Sequence, residues 1–123
     1  MTARFPGRAA IDSYGAGGFG FAGMSHRGSI LALPSGIYAW TPDPAALTQE
    51  DFALPLAEAD AIELLIIGTG LAMMPLARLR AALRSSGLNS EAMATGHAVA
   101  TYNLLLEEKR QVAAALIAVS HPA

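Results

Sequence analysis

With 123 residues, 53% of them hydrophobic and 15% charged, the chain has the length of one domain and enough apolar material for a core that needs no staples. Its formal net charge of −2 excludes the concentrated basic surface that a nucleic-acid partner requires. The absence of cysteine excludes a disulfide frame, a thiolate zinc site and a cysteine nucleophile.

The opening, MTARFPGRAA, carries arginines but no apolar stretch of signal-peptide length. Residues 1–10 are therefore expected to be a flexible leader, and residues 11–123 a single α/β domain. The segment from Ile11 to Gly23 mixes aromatic residues with glycines at 15, 17, 18, 20 and 23, which predicts a bent or bulged strand with turns. Ser29 to Leu33 and Ile37 to Trp40 then read as two strands joined by a turn at Pro34-Ser35-Gly36. The first third of the chain is thus β-rich.

Pro42 and Pro44 make the next stretch a loop. A helix is expected after Thr48, whose hydroxyl can cap it, with Asp51 in the first turn and Phe52 and Leu56 on one face. Pro55 should kink or shorten that helix. Ile62 to Ile67 is an apolar strand running into Gly68-Thr69-Gly70. Pro75 is placed to open a helix whose apolar stripe is Leu76, Leu79 and Leu83, with Arg78, Arg80 and Arg84 off the stripe and Gly87 as its stop.

A short strand around Glu91 to Met93, a second turn at Thr95-Gly96, a helix from about His97 to Glu107 and a last strand from Val112 to Val119 complete the chain. Strand, helix, strand, helix, strand predicts crossover units and a mixed, partly parallel sheet. Val112 to Val119 is the longest apolar run near the end, far below the roughly 20 residues of a membrane-spanning helix. A soluble, cytoplasmic protein is the expectation.

Ligands of parallel sheets collect where strand ends meet helix starts, and both glycine turns should lie there. The candidate ligand-binding residues are Gly68, Thr69, Gly70, Thr95, Gly96, His97, Thr101, Tyr102 and Asn103, with Arg78 or Arg80 as the nearby cation. Such a pocket would favour a small anionic or polar ligand. The structural alternative is that the glycines make tight turns, the threonines cap helices and Asn103 satisfies buried backbone. The third glycine of a dinucleotide fingerprint is missing, and no phosphate-loop lysine follows.

No catalytic constellation and no metal site emerge, because His26, His97 and His121 share no ligand spacing. Asp43, Glu50, Asp51, Glu58 and Asp60 read as an acidic surface, and Glu107 to Arg110 as a solvated turn. No cofactor is expected. Met73-Met74 could form an adaptable contact surface, with core filling as the commoner use of such a pair.

An ordered set of segments carries a family resemblance. It comprises Ile11-Asp-Ser-Tyr-Gly15, Gly17-Gly-Phe19, Gly28-Ser29-Ile30 through Leu33-Pro34, Leu65-Ile-Ile-Gly-Thr-Gly70, Met93-Ala-Thr-Gly96 and Thr101-Tyr-Asn103. The chain resembles the family of the mitochondrial complex I assembly factor three, which also includes an adipogenesis-associated human protein and uncharacterised bacterial relatives.

The resemblance implies a three-layer α/β domain with a mixed central sheet flanked by helices, plus a β-rich N-terminal portion. It implies no established enzyme activity. For the mitochondrial relative it implies a role in building NADH dehydrogenase beside another assembly factor and early matrix-arm subunits. Ala100 and Leu71 depart from the family pattern, which often has a basic residue before Thr-Tyr-Asn and a polar or charged one after Gly-Thr-Gly. The function expected is a non-catalytic interaction protein, with assistance to complex I assembly as the role that the resemblance implies. The alternatives are a small-ligand binder or unrecognised enzyme using the glycine turns, and a homodimer that exposes the Met73-Met74 loop or the glycine-rich hairpin.

Overall fold

The computed structural model describes residues 2–120. The strands of its first third are β1 (Phe5–Pro6), β2 (Ser13–Gly15), β3 (Gly18–Phe21), β4 (Met24–Arg27), β5 (Ser29–Leu33) and β6 (Gly36–Trp40). There follow α1 (Ala53–Ala57), β7 (Leu64–Gly68), α2 (Ala77–Ser85), β8 (Ser90–Met93), α3 (Thr95–Glu107) and β9 (Val112–Leu116). The main sheet has the order β1-β6-β5-β9-β7-β8, and β2-β3-β4 form a separate three-stranded meander.

The main sheet is mixed. β7 runs parallel to both β8 and β9, whereas β5 is antiparallel to β6 and to β9. The last strand of the chain is thus inserted at the sheet's centre, where all five of its residues are buried.

Because successive side chains of a strand point to opposite faces, the central strands feed two cores. Ile30, Ala32, Ile37, Ile66, Ala114 and Leu116 face one side, where α3 supplies Ala98, Val99 and Tyr102 and the meander supplies Phe19 and Phe21. Leu31, Leu33, Tyr38, Leu65, Ile67 and Ala115 face the other, where Phe52 and the α2 residue Leu83 are packed. A sheet covered on both faces gives the expected three layers, and it explains why β7 and β9 read as unbroken apolar runs.

Several local expectations needed correction. The stretch expected to be a flexible leader contributes β1, which pairs Phe5 with Ile37 at the sheet edge, and the Arg4 N–H donates to the Ile37 carbonyl at 2.6 Å. The segment from Ile11 to Gly23 is not one bulged strand. It folds into β2 and β3, and β4 completes the meander.

Pro75 does not open α2. The helix starts at Ala77, after Leu76 has taken a left-handed conformation at φ 53°. Leu76, Leu79 and Leu83 still meet one core, so the stripe survives the shifted start. At its other end Gly87, at φ 92°, lets the Leu88 N–H reach the Leu83 carbonyl at 2.9 Å and the Gly87 N–H reach that of Arg84 at 3.0 Å. These two bonds are a Schellman stop.

The helix expected after Thr48 is short and irregular, as Pro55 implied. Single 3₁₀ turns at Gln49–Phe52 and Ala59–Ala61 flank α1. The Asp51 carboxylate closes back on Thr48, accepting its N–H at 2.8 Å.

Candidate functional site

The turn after β7 and the start of α3 lie against each other at the carboxyl ends of the parallel strands. Thr95 and Gly96 are the first residues of α3, with Ala94 as its extended cap, and Gly68 still ends β7, so the chain leaves the strand only at Thr69-Gly70. The Thr95 N–H donates to the Gly70 carbonyl at 2.8 Å, and the Gly70 N–H donates back to the Thr95 hydroxyl at 2.9 Å. That hydroxyl donates in turn to the Ile117 carbonyl at 2.8 Å. The Ile117 N–H bonds the Gly68 carbonyl at 2.9 Å, which closes the ring.

Gly68 is needed for this contact. A Cβ there would stand 3.1 Å from the Cα of Thr95 and from the Cβ of Ala98. Thr69 is equally engaged: its hydroxyl donates to the Ala72 carbonyl at 2.7 Å and accepts the Met74 N–H at 3.0 Å. Its own N–H meets the Met93 carbonyl at 2.8 Å. Both threonines are buried, so their polar atoms are spent on holding backbone together.

The other sequence candidates stand elsewhere. Tyr102 and Asn103 lie further along α3 and reach the segment before β2. The Tyr102 hydroxyl donates to the Ala9 carbonyl at 3.0 Å. The Asn103 amide grips Ile11 on both sides, accepting its N–H and donating to its carbonyl, each at 2.8 Å. Burial pushes the Tyr102 phenol up to about 12, against a small opposing pull from Arg8.

Thr101 and Gly96 are half-buried, whereas His97 and Arg78 are exposed. Arg80 is tied to the sheet edge, donating to the Ser90 carbonyl at 3.0 Å and pairing with Glu91 at 3.1 Å. No group of three or more metal-ligating side chains is found among the described residues, and His121 falls outside them.

The Thr69 and Thr95 bonds fix the base of a loop whose tip is greasy. Leu71 is 62% exposed and Met73 55% exposed, and no charged residue lies between Gly68 and Ala77. A loop tethered at both ends by buried bonds can hold apolar side chains in water as a preformed contact surface. The Met73-Met74 pair had pointed to this loop. Leu71 had stood out only as an apolar residue where the family pattern often has a polar or charged one.

The model of the family of proteins of unknown function DUF498/DUF598 matches residues 11–117. An uncharacterised protein of Rhodobacter capsulatus is 37% identical over 114 residues, which cover 92% of this chain and 87% of that protein. The NADH dehydrogenase [ubiquinone] 1 alpha subcomplex assembly factor 3 of mouse is 33% identical over 119 residues. That match takes in 95% of this chain but only 64% of the mouse protein.

Among solved structures, a Bartonella henselae protein described as an outer membrane protein is 53% identical, with a TM-score of 0.89 over 94% of this chain and 99% of that one. The Rpa2829 protein of Rhodopseudomonas palustris is 45% identical with a TM-score of 0.81, over 97% of this chain and 90% of that one. Among the described residues, no helix is long and apolar enough to cross a membrane.

Proposed function

This chain belongs to the DUF498/DUF598 family, and on that footing we propose that it is a non-catalytic protein-interaction module that assists the assembly of respiratory complex I from the cytoplasmic side. The observation that carries the reading is the tethered loop with Leu71 and Met73 exposed at its tip. The likeness to the mouse assembly factor supports the choice of partner. Exposed leucine and methionine side chains bury well against a second protein, and methionine adapts to irregular surfaces. Arg78, exposed in the first turn of α2 just beyond the loop, adds a positive rim that suits an apolar segment flanked by carboxylates.

Capture of partners by the tagged full-length chain from its own cells tests the reading. NADH dehydrogenase subunits or a second assembly factor are expected with the native chain and are lost with the double variant Leu71→Asp, Met73→Asp. That variant should fold normally, because both side chains are exposed. Recovery of no such subunit, together with normal complex I in a deletion strain, would sink the proposal.

A further inference from the structure

The β2-β3-β4 meander has a core-facing side and an outward side, and the docking loop uses neither. Register sets the outward side. Ser13, Gly20 and Ser25 form one cross-strand row, and Gly15, Gly18 and Arg27 the next. The intervening row of Tyr14, Phe19 and His26 includes Phe19 and Tyr14, which pack on the core.

The middle strand therefore offers only glycine on its outward side, and the rows flanking it carry two hydroxyls and one guanidinium. Side chains could not be added to that floor. A Cβ on Gly20 would stand 2.4 Å from the Ser13 hydroxyl oxygen, and one on Gly18 would stand 2.1 Å from the His26 carbonyl oxygen.

The result is an open cleft of about 540 Å³, lined by Ser13, Gly18, Gly20, Ser25, His26 and Arg27 among others. Among the described residues, no carboxylate lines it. Arg27 is exposed and, like most arginines of the chain, forms no salt bridge among the described residues. The exposed hydroxyls of Ser13 and Ser25 likewise have no hydrogen-bond partner among the described residues. A trough with a backbone floor, hydroxyl donors on both walls and one guanidinium that has no carboxylate partner among the described residues matches a small group with several acceptor oxygens and negative charge.

We propose that this cleft binds a small ligand through an oxyanion, a phosphate or a carboxylate, with Arg27 supplying the charge and Ser13 and Ser25 the neutral donors. The site is separate from the loop after β7 and from the start of α3, so it does not depend on the interaction surface around Leu71.

Amide NMR spectra of the full chain, titrated with inorganic phosphate and separately with citrate at constant ionic strength, test it, with chloride as the control. Saturable shifts confined to residues 13–27 are expected with at least one of the two anions, and the stronger responder identifies the class of oxyanion. Arg27→Ala should weaken that response roughly tenfold or more, since it removes a charged donor. Its spectrum outside the meander should stay unchanged. Ser25→Ala should weaken the response by a smaller factor, a second reading that does not depend on the charge. An absence of saturable shifts, shifts equal in size on the arginines of α2, or a response that Arg27→Ala leaves intact would each overturn the assignment.

Discussion

Thr95 and Gly70 exchange two hydrogen bonds across 25 positions of sequence, backbone to backbone at 2.8 Å and backbone to hydroxyl at 2.9 Å. The pair joins the first turn of α3 to the loop that presents Leu71. Thr95→Val keeps the shape but leaves the Gly70 N–H and the Ile117 carbonyl without a partner. Each orphaned buried group costs about 1–3 kcal/mol. Urea denaturation should show that loss with an unchanged slope, and hydrogen exchange at Gly70 should quicken before exchange in β9 does.

Gly68 and Gly87 test two different reasons for glycine. Gly68→Ala places a Cβ 3.0 Å from the Cδ2 of Leu116 and 3.1 Å from Thr95, inside a packed strand–helix contact. Overpacking of this kind costs about 1–3 kcal/mol. At Gly87 nothing lies within 4 Å, so Gly87→Ala meets only its left-handed backbone at φ 92°. That strain is about 1–2 kcal/mol. A further Leu116→Ala change should partly relieve the first variant and leave the second untouched.

Asn103 holds the N–H and the carbonyl of Ile11 with one amide, which a carboxylate cannot do. Asn103→Asp should cost on the order of 2–4 kcal/mol at neutral pH, because an oxygen then faces the Ile11 carbonyl. The protonated acid donates where the amide did, so the folded state raises the new carboxyl's pKa. Stability should therefore recover as pH falls through that raised value toward the unfolded value of about 3.9, and be lost again as pH rises. Melting curves that fall in parallel with those of the native chain on acidification would refute this.

Tyr102 gives an alkaline counterpart. Its phenol is held at about 12 in the fold by burial, against 10.0 for the free group. The neutral form is thus favoured in the folded state. The contribution of this phenol should be fully present below pH 10 and fall by about 2–3 kcal/mol as pH rises from there to 12. In Tyr102→Phe that part of the alkaline loss should vanish, at the cost of about 1 kcal/mol at pH 7 from the missing bond to Ala9.

The Glu63 and Arg110 side chains form an ion pair on the surface that bonds both partners to each other. The pair lowers the Glu63 carboxyl, chiefly through its hydrogen bond to Arg110, so its contribution is lost as pH falls through the folded value. Because both groups are exposed, Arg110→Ala should leave the neutral-pH denaturation midpoint essentially unmoved.

The sequence by itself determined the elements whose cause is local. The apolar run ending in Gly68, the Leu76–Leu79–Leu83 stripe and the stop at Gly87 all follow from periodicity and backbone preference within a few residues. It also held the ordered segments that place the chain in its family. Only the tertiary structure decided what those segments do. Asn103 and Ile11 are 92 positions apart, and nothing local marks them as partners. Thr69 and Thr95 read as possible ligand hydroxyls until the fold brought Ala72, Met74 and Ile117 within reach. Likewise, β9 reads as a buried strand from its residues, but its place between β5 and β7 is fixed by pairing on both edges. Local sequence sets backbone propensity, whereas the partner of a hydrogen-bonding group is set by which distant segment the packed core brings against it.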